Sequence, residues 1–202
     1  GDLRIEESGA GLASTNARAL DAAVTRAGGR VFIDGEAVAS SPDALHDLLG
    51  IAADIGTTTV VLRLVSLETG RTIATRSFEN PQRFGGSDVM ARIHYDSEHG
   101  GRELQRTLIA YMAHAIEDFD VSPESIFELA VAGNSTMRDL FFGLSVETIG
   151  QQPYRSLTEH ELASGERETT SLSALARRFR LPVHREARLY GLPLVSGLSL
   201  IH

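Results

Sequence analysis

The chain has 202 residues, 42 % hydrophobic and 23 % charged, with a net charge of −8, as expected for one or two globular domains with no general nucleic-acid surface. It contains no cysteine, which excludes disulfides, thiolate catalysis and cysteine-held zinc or iron–sulfur clusters within the chain. It contains no lysine either; all 19 basic residues are arginine, so a Walker-type phosphate loop and Schiff-base chemistry are excluded. No apolar run approaches the ~20 residues of a membrane span. No basic-then-apolar leader opens the chain. A cytoplasmic protein without membrane contact is therefore expected. The first residue is Gly1 rather than Met, as left by a tag scar or in a piece excised from a longer chain.

Residues 1–14 are rich in Gly, Ala and Ser and read as a loose lead-in. Helical spacing of Leu20, Ala23, Val24 and Ala27 predicts a helix over Asn16 to Ala27, stopped by Gly28-Gly29. Arg30 to Val38 predicts a hairpin turning at Asp34-Gly35. Pro42 to Leu49 predicts one or two helical turns capped by Ser41. From Gly50 the pattern changes to three strands, "GIAADIG", "TTVVLRLVSL" and "GRTIATRSFE", the last two joined at Glu68-Thr69-Gly70. Val60, Leu62 and Leu64 share one face of the middle strand and Val61 and Val65 the other, so cover is expected on both sides.

Asn80-Pro81-Gln82 breaks the third strand, and a helix beginning near Ser87 follows. Glu103 to Phe119 carries the clearest helical stripe: Leu104, Leu108, Tyr111, Ala115, Ile116 and Phe119. "SIFELAVAG" predicts a fourth strand ending at Gly133. A short helix follows, capped by Asn134 or Ser135, with Met137, Leu140 and Phe141 inward. Residues 155–170 read as a polar loop, Ser171 to Phe179 as a helix, and Glu186 to Gly197 as a strand. "LSLIH" at the end carries no capped element. From residue 50 the order is strand, strand, strand, helix, strand, helix. This is the order of an α/β lobe of the ribonuclease-H-like, actin-like ATPase type, an antiparallel triplet extended by parallel strands under helices.

The stretch "DIGTTTVV" has the chemistry of a phosphate turn. Gly56 can adopt a positive φ and lets backbone N–H groups approach a ligand. Thr57, Thr58 and Thr59 supply hydroxyl donors beside those amides, and Asp54 supplies a hard oxygen for magnesium, through water. A threonine-rich hairpin with ordinary turn residues is the plain alternative.

Four blocks in order, "GIAADIGTTTVVLRLVSLETG", "ENPQRFGGSDVMARIHY", "AVAGNSTMRDLFFGL" and "LYGLPLVSG", resemble the ATP-dependent reductive activators of corrinoid proteins, within the acetate kinase, sugar kinase, Hsp70 and actin superfamily. Glu79-Asn80-Pro81-Gln82 followed by Gly86-Ser87-Asp88-Val89 is the most specific part. The resemblance implies an ATPase whose nucleotide cycle is coupled to reducing the cobalt of a corrinoid methyl-transfer protein. Its electron would come from an iron–sulfur domain that this cysteine-free chain does not contain. It further implies a linker or middle subdomain over 1–48 and the first actin-like lobe over 49–202, the second lobe apparently missing. The lobe alone would be inactive or weak.

By that resemblance Asp54 lies near magnesium and the phosphates, and Gly56, Thr57, Thr58 and Thr59 form the phosphate turn. Gly133 and Asn134 line the inter-lobe cleft at a strand–helix junction, where free N–H groups and dipole favour anions. Asn134 reads equally as a simple helix cap. Asn80 and Gln82 are placed at the cleft edge or in a Pro-broken loop. The cofactors implied are ATP and Mg, and the partner is a corrinoid protein; a second copy of the chain is a further candidate partner. No catalytic base is identifiable. Another ATPase or kinase of the superfamily, or a docking domain without catalysis, remain the alternatives.

Three further clusters carry plain readings. His94, Asp96 and His99 lack metalloprotease spacing and read as a solvated loop. Glu159 to Glu168 is a charged loop, and Ala176 to Arg180 a small basic face.

Overall fold

The computed structural model describes residues 24–40, 47–100 and 102–194. Three short strands open it: β1 (Val24–Ala27), β2 (Arg30–Ile33) and β3 (Glu36–Ser40) form an antiparallel sheet in that order. The β2–β3 turn at Asp34-Gly35 is the one expected, both residues having positive φ (52° and 85°), which short hairpins require. The helix expected to end at Ala27 is replaced by β1 where it is described; Gly28-Gly29 turns a hairpin instead of stopping a helix. Residues 16–23 and 42–46, where the rest of two expected helices fall, lie outside the described residues, and Leu49 already begins a strand.

The main sheet has six strands: β4 (Leu49–Ile55), β5 (Thr59–Ser66), β6 (Thr72–Glu79), β7 (Ile126–Gly133), β8 (Leu172–Leu175) and β9 (Arg188–Gly191). Their spatial order is β6-β5-β4-β7-β9-β8. The β6-β5-β4 triplet is antiparallel, β7 and β9 extend it in parallel, and β8 closes the far edge antiparallel. This is the expected α/β lobe with a mixed sheet. Among the described residues four α-helices accompany it: α1 (Val89–His99), α2 (Glu103–Glu117), α3 (Ser135–Phe142) and α4 (Leu157–Ser164).

One face of the sheet is dry. Ile51, Ala53 and Ile55 of β4, Val60, Leu62 and Leu64 of β5, and Leu129 and Val131 of β7 pack with Leu104, Leu108, Met112 and Ile116 of α2 and with Met137, Leu140 and Phe141 of α3. Tyr111, expected on the buried stripe of α2, is 54 % exposed, and Met112 fills the core in its place. The other face is not sealed: Val61 and Val65 are half-buried and Arg63 and Asp54 exposed, so the expected cover on both sides is corrected to one. A bulge in β7 sets Phe127 outside the ladder. There it joins Leu48, Val24 and Ile33 in a small second core beneath the three-stranded sheet.

The last third departs most from expectation. The polar run 155–170 contains α4, held by a capping box in which Ser156 and Glu159 bond each other's backbone N–H. Residues expected as one helix from Ser171 form β8 and then a short 3-10 turn, Ala176–Phe179. Of the strand expected from Glu186, Arg188–Gly191 is formed, and residues from 195 onward lie outside the described residues.

Candidate functional site

β4 ends at Ile55, and the chain reverses into β5 through Gly56, Thr57 and Thr58. Gly56 N donates to Thr59 O at 3.0 Å, closing the bend. A Cβ on Gly56 would lie 2.6 Å from Thr59 O, so only glycine fits. The reason is this close approach: Gly56 is not among the residues with positive φ, correcting that part of the expectation. Asp54, Thr58 and Thr59 are exposed and Thr57 is half-buried. The Asp54 carboxylate has no hydrogen-bond or ion-pair partner among the described residues. The turn therefore presents one free carboxylate and a row of hydroxyls to solvent, a donor set suited to hydrated magnesium and phosphate oxygens.

The second half of the site is the β7–α3 junction. β4 and β7 run parallel, with Asp54 paired to Ala132 and Ile55 to Gly133. A Cβ on Gly133 would sit 3.0 Å from Ile55 O, so glycine permits the strands this approach. Asn134 caps α3, its Oδ1 accepting from Met137 N at 2.9 Å. Its Nδ2 also donates to Thr57 Oγ1 at 3.3 Å. The cap and the cleft residue are thus one side chain. Asp54, Gly56, Thr57, Thr58, Thr59, Gly133 and Asn134 lie together at the carboxyl ends of β4 and β7. The opening amides of α3 have no acceptor within the helix there.

Asn80 and Gln82 stand at the Pro-broken turn Pro81–Gly85, the second of the two readings, and not on a cleft edge. Both are 0 % exposed, beneath the phosphate turn. Asn80 Nδ2 donates to Gly56 O at 2.8 Å and its Oδ1 accepts from Gln82 N at 2.9 Å. Gln82 Nε2 reaches away to Leu104 O at 3.2 Å. Arg92 of α1, only 1 % exposed, also reaches the turn from within; sequence reasoning missed it because a lone helical arginine reads as a solvated position. Its Nη2 donates to Thr57 O at 2.7 Å, its Nε to Gly86 O at 3.0 Å and its Nη1 to Met137 Sδ at 3.3 Å. Burial lowers its pKa, opposed by the nearby Asp88 carboxylate.

The plainer candidates fall away from this site. His94, Asp96 and His99 lie on α1 rather than in a loop; His94 faces Glu98 at 3.3 Å and His99 Nδ1 meets Tyr95 O at 2.9 Å. Among the described residues no three His, Cys, Asp or Glu side chains gather as metal ligands. No described helix is long and apolar enough to cross a membrane. Arg177, Arg178 and Arg180 are exposed around the buried Ala176 and Phe179.

Four residues beyond Asn134, α3 carries a buried ion pair. Arg138 is 1 % and Asp139 0 % exposed, 2.7 Å apart. Burial pushes the Asp139 carboxyl up to about 6, outweighing the Arg138 guanidinium. The native state then holds a proton that the unfolded chain has lost between the ordinary value of 3.8 and about 6, so stability falls as pH rises across that window. Asp139→Asn is expected to flatten that slope, read as urea midpoints at several pH values. A slope unchanged in the variant would assign it to other groups.

Residues 49–198 match the family model described as RACo middle region. The chain is 27 % identical over 157 residues to the corrinoid activation enzyme RamQ of Eubacterium limosum, covering 74 % of this chain and 25 % of that protein. The solved structure of a reductive activator for a corrinoid, iron–sulfur protein aligns with a TM-score of 0.65 at 27 % identity, covering 79 % of this chain and 24 % of that one. The chain thus spans about a quarter of the length of these relatives, and residues 49–198, the part that matches the family model, include the turn, Asn80, Arg92 and the β7–α3 junction. On these grounds the chain belongs to the RACo middle region family.

Proposed function

We propose that this chain is the phosphate-binding lobe of a protein that uses ATP to drive reductive activation of the cobalt centre in a corrinoid methyl-transfer protein. The observation that carries the reading is the Asn134 Nδ2 contact to Thr57 Oγ1 at 3.3 Å, which joins the hydroxyl-rich turn to the start of α3 at the carboxyl ends of two parallel strands. Ligands of open α/β sheets bind at such ends. The names of the relatives supply the corrinoid half of the proposal.

Each residue has a role on this reading. Thr57 and Thr58 donate to phosphate oxygens from hydroxyl and amide, while Asn134 fixes the Thr57 hydroxyl. Asp54 holds magnesium through water, since Mg²⁺ keeps most of its hydration shell. Bound ATP supplies hydrolysis energy that biases an uphill electron transfer. The chain has no cysteine, so its residues do not fit a thiolate-held iron–sulfur cluster, and the electron is delivered from outside it.

Titrating the 202-residue chain with MgATP, followed by backbone amide resonances, tests the site, because that readout tolerates weak binding. Asp54→Ala and Thr57→Val are each expected to weaken MgATP by about tenfold, the loss of one charge-assisted contact. Unchanged affinity in both variants would remove the turn from nucleotide binding. Capture of an oxidised corrinoid protein by the chain, dependent on MgATP, tests the partner; no capture under any nucleotide condition would leave an ATP-binding lobe serving another reaction.

A further inference from the structure

The bend between β4 and β5 is held from beneath at three successive peptide units. Gly56 O accepts from Asn80 Nδ2 at 2.8 Å, Thr57 O from Arg92 Nη2 at 2.7 Å, and Thr58 O from the Asn80 backbone N–H at 2.7 Å. In a trans peptide the carbonyl of one residue and the N–H of the next point in opposite directions. With the oxygens of Gly56 and Thr57 drawn into the interior, the N–H groups of Thr57 and Thr58 are turned outward. Neither has a backbone acceptor among the described residues. Exposed Thr58 and Asp54 lie on that outer side.

The same contacts bury a charge whose hydrogen-bond partners are all neutral, the Asp88 carboxylate acting on it only through space. Arg92 is 1 % exposed, and the contacts of its guanidinium are two carbonyls and a thioether, all neutral. A buried cation so placed is only partly compensated and is stabilised further when more negative charge comes near. A donor bound at a carbonyl also polarises that peptide and strengthens its own N–H as a donor. Arg92 therefore reaches the ligand side through the Thr57–Thr58 peptide without touching the ligand.

We propose that Asn80 and Arg92 are positioning residues of the phosphate turn: Asn80 fixes the Gly56–Thr57 peptide and Arg92 the Thr57–Thr58 peptide with their N–H groups outward, and the buried Arg92 charge makes the turn discriminate by phosphate charge, favouring a nucleoside triphosphate over a monophosphate. This rests on the reading of the turn given under Proposed function. It assigns the asparagine of the "ENPQ" block and the arginine of "MAR" to one task, support of the turn from below, although they stand 12 positions apart in the sequence.

The test compares Arg92→Met, Arg92→Lys and Gln82→Met in the 202-residue chain, titrated with MgATP, magnesium tripolyphosphate and AMP, with amide shifts and melting temperature as readouts. Arg92→Met is expected to weaken MgATP and tripolyphosphate by about tenfold and AMP by less than about twofold, with the Thr58 amide resonance displaced even without ligand. Arg92→Lys keeps the charge but not the fork and is expected to recover about half of the lost triphosphate affinity on a logarithmic scale. Gln82 is as buried as Asn80 but bonds Leu104 O at 3.2 Å instead of the turn, and its Oε1 meets Asn80 Nδ2 only at 3.4 Å. Gln82→Met should lower the melting temperature and leave the ATP-to-AMP affinity ratio alone. An unchanged ratio in Arg92→Met, or an equal change in Gln82→Met, overturns the inference. Should Arg92→Met not fold, unchanged triphosphate affinity in Arg92→Lys overturns it equally. Loss in Thr57→Val and Asp54→Ala with none in the Arg92 variants overturns only the positioning role. No response of Thr57 or Thr58 to any of these ligands in the unsubstituted chain overturns the turn reading, and this inference with it.

Discussion

Arg138→Met is expected to lower the free energy of unfolding by about 3–5 kcal/mol, the usual penalty for removing one partner of a buried ion pair. The side chain joins four parts of the lobe. From α3 it donates to Thr170 O and Asp139 Oδ1, each at 2.7 Å by its closest nitrogen, to Thr158 Oγ1 of α4 at 2.7 Å, and to Leu192 O after β9 at 3.4 Å. Methionine fills much of the volume and satisfies none of these acceptors. Asp139 would be left 0 % exposed without its paired cation, with Arg167 acting only through space and its Oδ2 already without a hydrogen-bond partner. Urea unfolding measures the loss, and a fall in melting temperature of roughly 10 °C should accompany it. The double variant Arg138→Met, Asp139→Leu is expected to recover most of it, because removing both charges removes the uncompensated one. A near-neutral single variant would mean that the pair does not hold the lobe together.

Which parts of this architecture were legible in the sequence follows from the range of the interactions involved. The triplet β4-β5-β6 and the β2–β3 hairpin announce themselves through local features, alternation in "TVVLRLV" and turn residues at Asp34-Gly35 and Glu68-Thr69-Gly70. The site's front is legible for the same reason: Asp54 through Thr59 are contiguous, and Gly133-Asn134 stands where an apolar strand meets a helix cap. Helix α4 was missed because it carries few apolar residues, although Ser156 and Glu159 have the capping-box spacing that could have revealed it. Strand β8 offers only Leu172 and Ala174 as alternating core residues, too short a run to separate from a helix. The misreading at Val24 to Ala27 has a similar origin, since small residues with helical spacing also fit a short edge strand. The back of the site was illegible in principle. Arg92 and Thr57 lie 35 residues apart, and Asn80 and Gly56 24. Nothing in local composition distinguishes an arginine bonded to buried carbonyls from one in water.

Gly56→Ala tests the front of the site at its tightest point, and both stability and nucleotide binding are expected to suffer. The added Cβ would stand 2.6 Å from Thr59 O, the acceptor of the bond that closes the bend. That oxygen is backbone and cannot swing aside as a side-chain tip would. Either the Gly56 N–Thr59 O bond opens or the peptides at Ile55 and Thr57 rotate, and both movements pull Gly56 O from Asn80. Overpacking of this kind costs about 1–3 kcal/mol, and misplaced amides at Thr57 and Thr58 should reduce MgATP affinity by at least about tenfold. Gly70→Ala supplies the contrast. Gly70 turns β5 into β6 with φ 71° and has nothing within 4 Å of an added Cβ. Its replacement strains the backbone by about 1 kcal/mol, away from Asp54 and the threonines. Gly70→Ala should therefore lower the melting temperature while MgATP affinity stays at the unsubstituted value. If the two glycine variants lost nucleotide affinity equally, the effect would be general destabilisation and the bend after Asp54 would have no special part in holding phosphate.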